Sequence, residues 1–307
     1  MDVGQVFGGQ FEVRRVLEVG ARSTLLEAVA RDREQFVVVE VFRRFRLAAE
    51  NARFSSELER VSTLRSIHIA RVLGSGCTSD GSNYVVSEPH DGDSLETLVR
   101  RQGPLPLVRI VELMLQVCDA LEEAHALRLV HQDVSPETLF VTRLSDGSSC
   151  VKIRGFGARL ALFAIGEGRL LGASHFTAPE QLPGIDPIDS RTDVWALGAT
   201  MYELATGHRP FEEPPEQLEA ALLGTDPRPL AERRPGLPLS FSDAVMRCLK
   251  RSASSRYDSA AALADAIAPY GPRRGVSGAV RGVLAAGATR LRSSTERVRD
   301  LVRQRKW

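Results

Sequence analysis

The chain has 307 residues, of which 43% are hydrophobic and 26% charged. That is enough apolar material to build a core, which excludes disorder over the whole length, and no apolar run approaches the roughly 18 residues that span a bilayer. The formal net charge of +1 hides a basic C-terminus: from Gly271 to Trp307 ten basic residues stand against two acidic ones, a net of +8, so the preceding residues carry −7.

In chain order, Met1-Asp2-Val3-Gly4 lacks the basic and apolar regions of a signal peptide, so the expectation is a cytoplasmic protein. Phe11–Leu17 alternates apolar and polar residues as a half-buried strand does, and Leu25–Ala30 and Gln35–Phe42 read as two more strands. Val37, Val38 and Val39 are β-branched and suit a buried strand. Phe54, Leu58, Val61 and Leu64 recur at spacings of three and four, the stripe of an amphipathic helix. Val72-Leu73 and Tyr84–Val86 suggest further strands, joined by the turn-rich Ser79–Ser82.

Past Asp91-Gly92-Asp93 the texture becomes helical. Leu107–His125, Asp193–Ala205, Ser242–Leu249 and Ser259–Ile267 all carry helical patterns, the last stopping before Pro269. The four cysteines (Cys77, Cys118, Cys150 and Cys248) are far apart and form no CxxC pair, as expected of reduced thiols rather than a disulfide frame or zinc site. No histidine spacing suggests a metal; His68, His90, His125, His175 and His208 read as surface or packing residues.

Four segments in this order resemble the protein kinase family. Leu129–Thr138, containing His131-Gln132-Asp133, is similar to the HRDLKPEN catalytic loop, and Gly155-Phe156-Gly157 stands where the family has DFG. Ala178-Pro179-Glu180 matches APE, Asp193-Val194-Trp195 resembles the start of a DVWSLG helix, and Arg256 stands where an arginine pairs with the APE glutamate. The resemblance covers about residues 10–270, and in texture it is to the bacterial serine/threonine kinases. It implies an α+β, bilobal kinase-like fold with a small β-rich N-lobe and a larger helical C-lobe. The boundaries follow as 1–10 for a lead, 11–90 for the N-lobe, 91–270 for the C-lobe and 271–307 for a tail.

The charge-handling positions depart from the family. The glycine-rich loop keeps Gly20 alone, with Glu18 and Ser23 at the other glycine positions. The β3 lysine position falls on Glu40, and its helix glutamate best matches Glu57, so a Lys–Glu pair becomes Glu–Glu. No lysine occurs in residues 1–151, and Arg43 and Arg44 are the nearest cations. Gly155 and Thr138 stand at the two metal-ligand positions; glycine has no ligand to offer, and a hydroxyl is a poor one for Mg²⁺. Ser135 replaces the catalytic-loop lysine, Ala173 the activation-segment threonine, and Val38 and Phe140 enlarge the two adenine-flanking positions. Only Asp133, at the catalytic-base position, survives, and its alternative role is to order the loop by accepting backbone hydrogen bonds. Gln132 removes the usual receiver for a phosphate at Ser174 or Thr177, which read as hydroxyls on an exposed loop.

The tail is expected to form a basic amphipathic helix. Val280, Leu284, Leu291, Val298 and Leu301 recur at helical spacings of three, four and seven among Arg281, Arg290, Arg292, Arg297, Arg299 and Arg303. Three targets compete: an anionic membrane surface reached through residues 276–307, a groove on a partner protein, and the chain's own acidic body. Nucleic acid ranks below these, because only Trp307 accompanies the arginines as a stacking residue.

The sequence therefore leads to a pseudokinase, a kinase-like binding, scaffold or allosteric module. Its expected partner is a protein such as an active kinase or other signalling protein, with no cofactor or metal and a cytoplasmic place that extends to the membrane periphery. The rival expectation is an atypical ATP- and Mg²⁺-dependent serine/threonine kinase using Asp133.

Overall fold

A computed structural model describes residues 3–19, 23–32, 34–42, 48–78, 80–89, 92–156, 173–182 and 187–272. Two compact units form, the first from residues up to Thr63 and from Ala70–Pro89, the second from Leu64–Ile69 and His90–Gly271.

The first unit is a six-stranded antiparallel sheet in the order β1-β2-β3-β4-β6-β5. Its strands are β1 (Val6–Phe7), β2 (Phe11–Val19), β3 (Ser23–Ala30), β4 (Gln35–Phe42), β5 (Val72–Cys77) and β6 (Asn83–Ser87). Alternation along β4 sends Val37, Val39 and Val41 into one core with Phe11, Val13, Leu26, Ala28, Leu73 and Val86. Phe42 meets Phe54 of helix α1 (Ala48–Val61) edge-on, with ring centroids 5.7 Å apart. Phe54, Leu58 and Val61 are buried, as their spacing predicts. Leu64 is not on that helix. The Ser62 and Thr63 hydroxyls donate back to the carbonyls of Glu59 and Arg60, at 2.7 and 2.6 Å, and the helix ends before it.

Leu64–Ile69, placed in the first lobe by the sequence boundaries, instead belongs to the second unit. The backbone N–H groups of Arg65 and Ser66 donate to the Glu123 carboxylate at 2.6 and 2.7 Å, and Ile153 N–H donates to the His68 carbonyl at 2.8 Å. β1 falls inside the stretch read as a lead.

The second unit is built round α3 (Leu107–Ala126) and α4 (Ser190–Thr206). Ile110, Val111, Leu113, Met114, Val117, Cys118, Ala120, Leu121 and Ala124 bury one broad face of α3. At about 1.5–3 kcal/mol for each large apolar side chain fully buried, this face is a main source of the unit's stability. α4 is buried from Thr192 to Thr206, because it packs against α3, α7 (Leu239–Cys248) and α8 (Ala260–Ile267). Gly198 permits the approach of α7, since a Cβ there would collide with Cys248. α2 (Leu95–Gln102), α5 (Pro215–Gly224) and α6 (Leu230–Arg233) complete the described α-helices. A three-stranded sheet, β7 (Asp93–Ser94), β8 (Leu139–Arg143) and β9 (Ser149–Ile153), flanks them.

All four cysteines are free thiols, with only Cys77 exposed. Among the described residues no helix is long and apolar enough to cross a membrane. The expected tail helix at 273–307, together with Gly20, Arg43, Arg44 and His90, lies outside the described residues.

Candidate functional site

In the first unit, Glu40 sits on β4 opposite Leu25 of β3. Its carboxylate accepts a hydrogen bond from the Ser23 hydroxyl at 2.7 Å. Glu57 pairs with Arg60, one helical turn along α1, at 3.1 Å. The position that carries a lysine in the resembled family is thus a carboxylate held by a neighbouring strand, and each glutamate has a cation or hydroxyl of its own beside it.

The second unit brings Asp133, Thr138 and Gly155 together. The loop from His131 to Thr138 is tied to β9 by Arg154 N–H, which donates to the Thr138 carbonyl at 2.9 Å. Thr138 is buried, and its hydroxyl lies 3.0 Å from the Asp133 carbonyl and 3.2 Å from the Ser135 carbonyl while accepting the Ser135 N–H at 3.0 Å. A hydroxyl so placed staples its own loop, with its proton and one lone pair already used. Gly155 has no side chain and a φ of +92°, a left-handed conformation in which a Cβ is strained. This pair does not fit a Mg²⁺ ion: one position offers no side-chain oxygen, and the other turns its hydroxyl onto the backbone.

The carboxylate that collects the loop's backbone donors is Asp193, which is fully buried at the start of α4. Its oxygens accept Gln132 N–H at 2.8 Å, His131 N–H at 2.9 Å and His125 Nε2–H at 2.7 Å. His125, expected only to lie on the surface or pack, is therefore a partner of the loop's anchor. His131 faces the Arg154 carbonyl with Nε2 at 2.9 Å and accepts Asp133 N–H on Nδ1 at 3.2 Å, which requires the neutral, Nε2-protonated ring. Burial pushes its pKa down, against the opposing pull of Asp193 and Asp133. The Phe156 ring meets His131 edge-on, with centroids 4.5 Å apart.

Gln132 adopts a φ of +67° and gives its carbonyl to Gln181 Nε2 at 2.8 Å, while Gln181 Oε1 accepts Ala178 N–H at 2.8 Å. Gln181 thereby joins the loop to the Ala178-Pro179-Glu180 turn, a link with no sequence signal beyond its position after that motif. Glu180 and Arg256 form a buried two-pronged ion pair at 2.7 and 2.8 Å. Arg256 also lies 5.0 Å from the Trp195 ring centroid.

Ser174 and Thr177 are not two hydroxyls on an exposed loop. Thr177 is buried, its hydroxyl accepts Ser174 N–H at 2.8 Å, and the two hydroxyls are 3.0 Å apart. They close a turn on themselves. Of the adenine-flanking positions, Val38 is buried in the first unit, and Phe140 of the second carries the Arg154 guanidinium 5.0 Å from its ring centroid.

The sequence profile of the protein kinase domain matches residues 11–266. The chain belongs to the protein kinase family. Among similar proteins of this kinase family, a probable serine/threonine-protein kinase from Clostridium perfringens is 28% identical over 264 residues, 84% of this chain and 38% of that protein. Serine/threonine-protein kinase PknB of Mycobacterium leprae is 29% identical over 68% of this chain and 34% of its own length. PknK of Mycobacterium tuberculosis is 34% identical over 68% of this chain and 19% of its own. The chain thus spans well under half of each of these relatives. The crystal structure of Rad53 1–466 in complex with AMP-PNP superposes with a TM-score of 0.68 at 23% identity, covering 85% of this chain and 65% of that one, and shows the kinase fold.

Proposed function

We propose that this kinase-fold chain is a pseudokinase, a module that has kept the fold's scaffold and lost phosphoryl transfer. The observation that carries the reading is the Thr138 hydroxyl turned onto the carbonyls of Asp133 and Ser135, beside a Gly155 without a side chain. Phosphoryl transfer is mostly positioning and electrostatic stabilisation, so losing both metal ligands removes its main support. Glu40 adds a negative charge where the family places a cation. What remains is architectural: Asp193 gathers the loop, and Arg256 locks Glu180. Such a module acts by binding, and the partner proposed for it is a signalling protein such as an active kinase. The test is phosphate incorporation from labelled ATP with Mg²⁺ or Mn²⁺. Incorporation that disappears in Asp133→Asn would overturn the reading and establish an atypical serine/threonine kinase.

A further inference from the structure

Where the chain leaves the second unit, the surface carries large apolar side chains that the described fold does not cover. Gly271 lies against α3: a Cβ added there would meet the Val111 and Leu115 side chains at 3.1 and 3.7 Å. Its neighbour Tyr270 sets its ring edge-on to Phe241 of α7, with centroids 5.6 Å apart, and its hydroxyl 2.5 Å from that of Ser240. Tyr270 and Gly271 therefore join the N-terminal half of α3 to the first turn of α7. Both helices expose an apolar residue at this junction. Val108, one turn before Val111, is 50% exposed, and Leu239, next to Ser240, is 71% exposed. Leu115 and Tyr270 are half-buried beside them. Acids follow at helical spacing: Glu112, Asp119 and Asp243 stand four residues after Val108, Leu115 and Leu239, one turn along the same faces. The arginines of these two helices are already engaged. Arg109 reaches Glu112 and the Ser149 hydroxyl, each at 2.8 Å, while Arg247 lies 4.3 Å from the Tyr257 ring centroid and donates to the Arg256 carbonyl at 3.2 Å.

We propose that this surface, made by Val108, Leu115, Tyr270 and Leu239 with the acids beside them, is the docking site of the chain's own C-terminal segment, residues 273–307. The segment carries the complementary pattern. Val280 is followed by Arg281, Leu291 is flanked by Arg290 and Arg292, and Val298 by Arg297 and Arg299. It holds nine arginines and one lysine against two acidic residues, while the rest of the chain is net acidic. Apolar residues with arginines at their side thus meet apolar residues with carboxylates at theirs. Surface ion pairs contribute little singly, so burial of the apolar side chains supplies most of the attraction and the charges set its direction. The segment begins at the surface it would cover, two residues after Gly271. As a helix its 35 residues would measure about 50 Å, against about 30 Å for α3, so reach is no obstacle. Covalent attachment makes the encounter intramolecular and raises the effective concentration of the segment at the site. The proposal does not depend on whether nucleotide binds.

The test is cleavage of the full-length chain by an arginine-specific protease, following the release of fragments from residues 273–307 at several protein concentrations. The expected result is slow cleavage of the wild type at a rate constant independent of protein concentration. Release should be several-fold faster in the double variant Val108→Ser, Leu239→Ser, which removes the apolar contact, and in Asp119→Asn, Asp243→Asn, which removes the charge. All four side chains are exposed, so both variants should keep the wild-type melting curve, and a retained curve isolates the loss of docking. Equal release rates in the three proteins would overturn the proposal. So would protection that grows with protein concentration, since the occupant would then be the segment of a second copy.

Discussion

Arg256 spends all five of its guanidinium N–H donors, two of them on Glu180. Nη1 and Nη2 reach the Glu180 oxygens at 2.7 and 2.8 Å, and the remaining donors reach the carbonyls of Lys250, Arg191 and Arg251 at 2.8–2.9 Å. The Thr192 hydroxyl completes the carboxylate's set at 2.8 Å. Removing one member of a buried pair leaves the other charged and uncompensated, at a cost of about 3–5 kcal/mol. Arg256→Ala is expected to lose stability of that order in urea denaturation. Arg256→Lys keeps the charge but not the five-donor fork, so it should recover only part of the loss.

The same pair sets an acid limb. Burial works to raise the Glu180 pKa, but the hydrogen bonds and charge of Arg256 outweigh it and hold the carboxyl below its ordinary 4.5. A carboxyl depressed on folding stabilises above its unfolded pKa and loses that stability as pH falls through the folded value. Wild-type stability should therefore fall below about pH 4.5, and more steeply than in Glu180→Gln. Parallel stability–pH curves for the two proteins would contradict this.

Thr138 gives a third expectation. Valine has its shape without the hydroxyl, so Thr138→Val leaves the buried Ser135 N–H without its acceptor, at about 1–3 kcal/mol. Thr138→Ser should stay near the wild type. Equal stability of Thr138→Val and the wild type in denaturant would show that the hydroxyl is not a loop staple.

Thr177 is buried and its hydroxyl is occupied by the Ser174 N–H and hydroxyl. Incubation with an active serine/threonine kinase should leave Thr177 of the folded chain unmodified, as read by mass spectrometry. Stoichiometric phosphate on Thr177 with a retained fold would contradict the burial.

How much of this was legible in the residues follows from what kind of signal each carries. Gln35–Phe42 and the Phe54-Leu58-Val61 stripe were readable because alternation and helical spacing are local patterns. The pairing of Ala178-Pro179-Glu180 with Arg256 came from motif order. α2 was missed although Ser94 caps it by accepting Thr97 N–H, since its eight residues offer too short a stripe. The His125–Asp193 contact joins residues far apart in sequence, and the turning of Thr138 onto Asp133 and Ser135 is local but aperiodic. No periodicity records such contacts. The exposed-loop reading of Thr177 failed for a related reason: a hydroxyl-rich segment looks solvated until its hydroxyls are seen to satisfy each other.

The central claim is that this kinase-family chain does not use Mg·ATP, and thermal denaturation of the full chain with ATP, with and without Mg²⁺ or Mn²⁺, tests it most directly. A ligand at about 100 times its dissociation constant stabilises the folded state by about 2.7 kcal/mol, an effect such a melt resolves readily. The account predicts no metal-dependent shift at millimolar nucleotide. A rise in melting temperature that requires the metal, saturates at micromolar ATP and is lost in Asp133→Asn would contradict it.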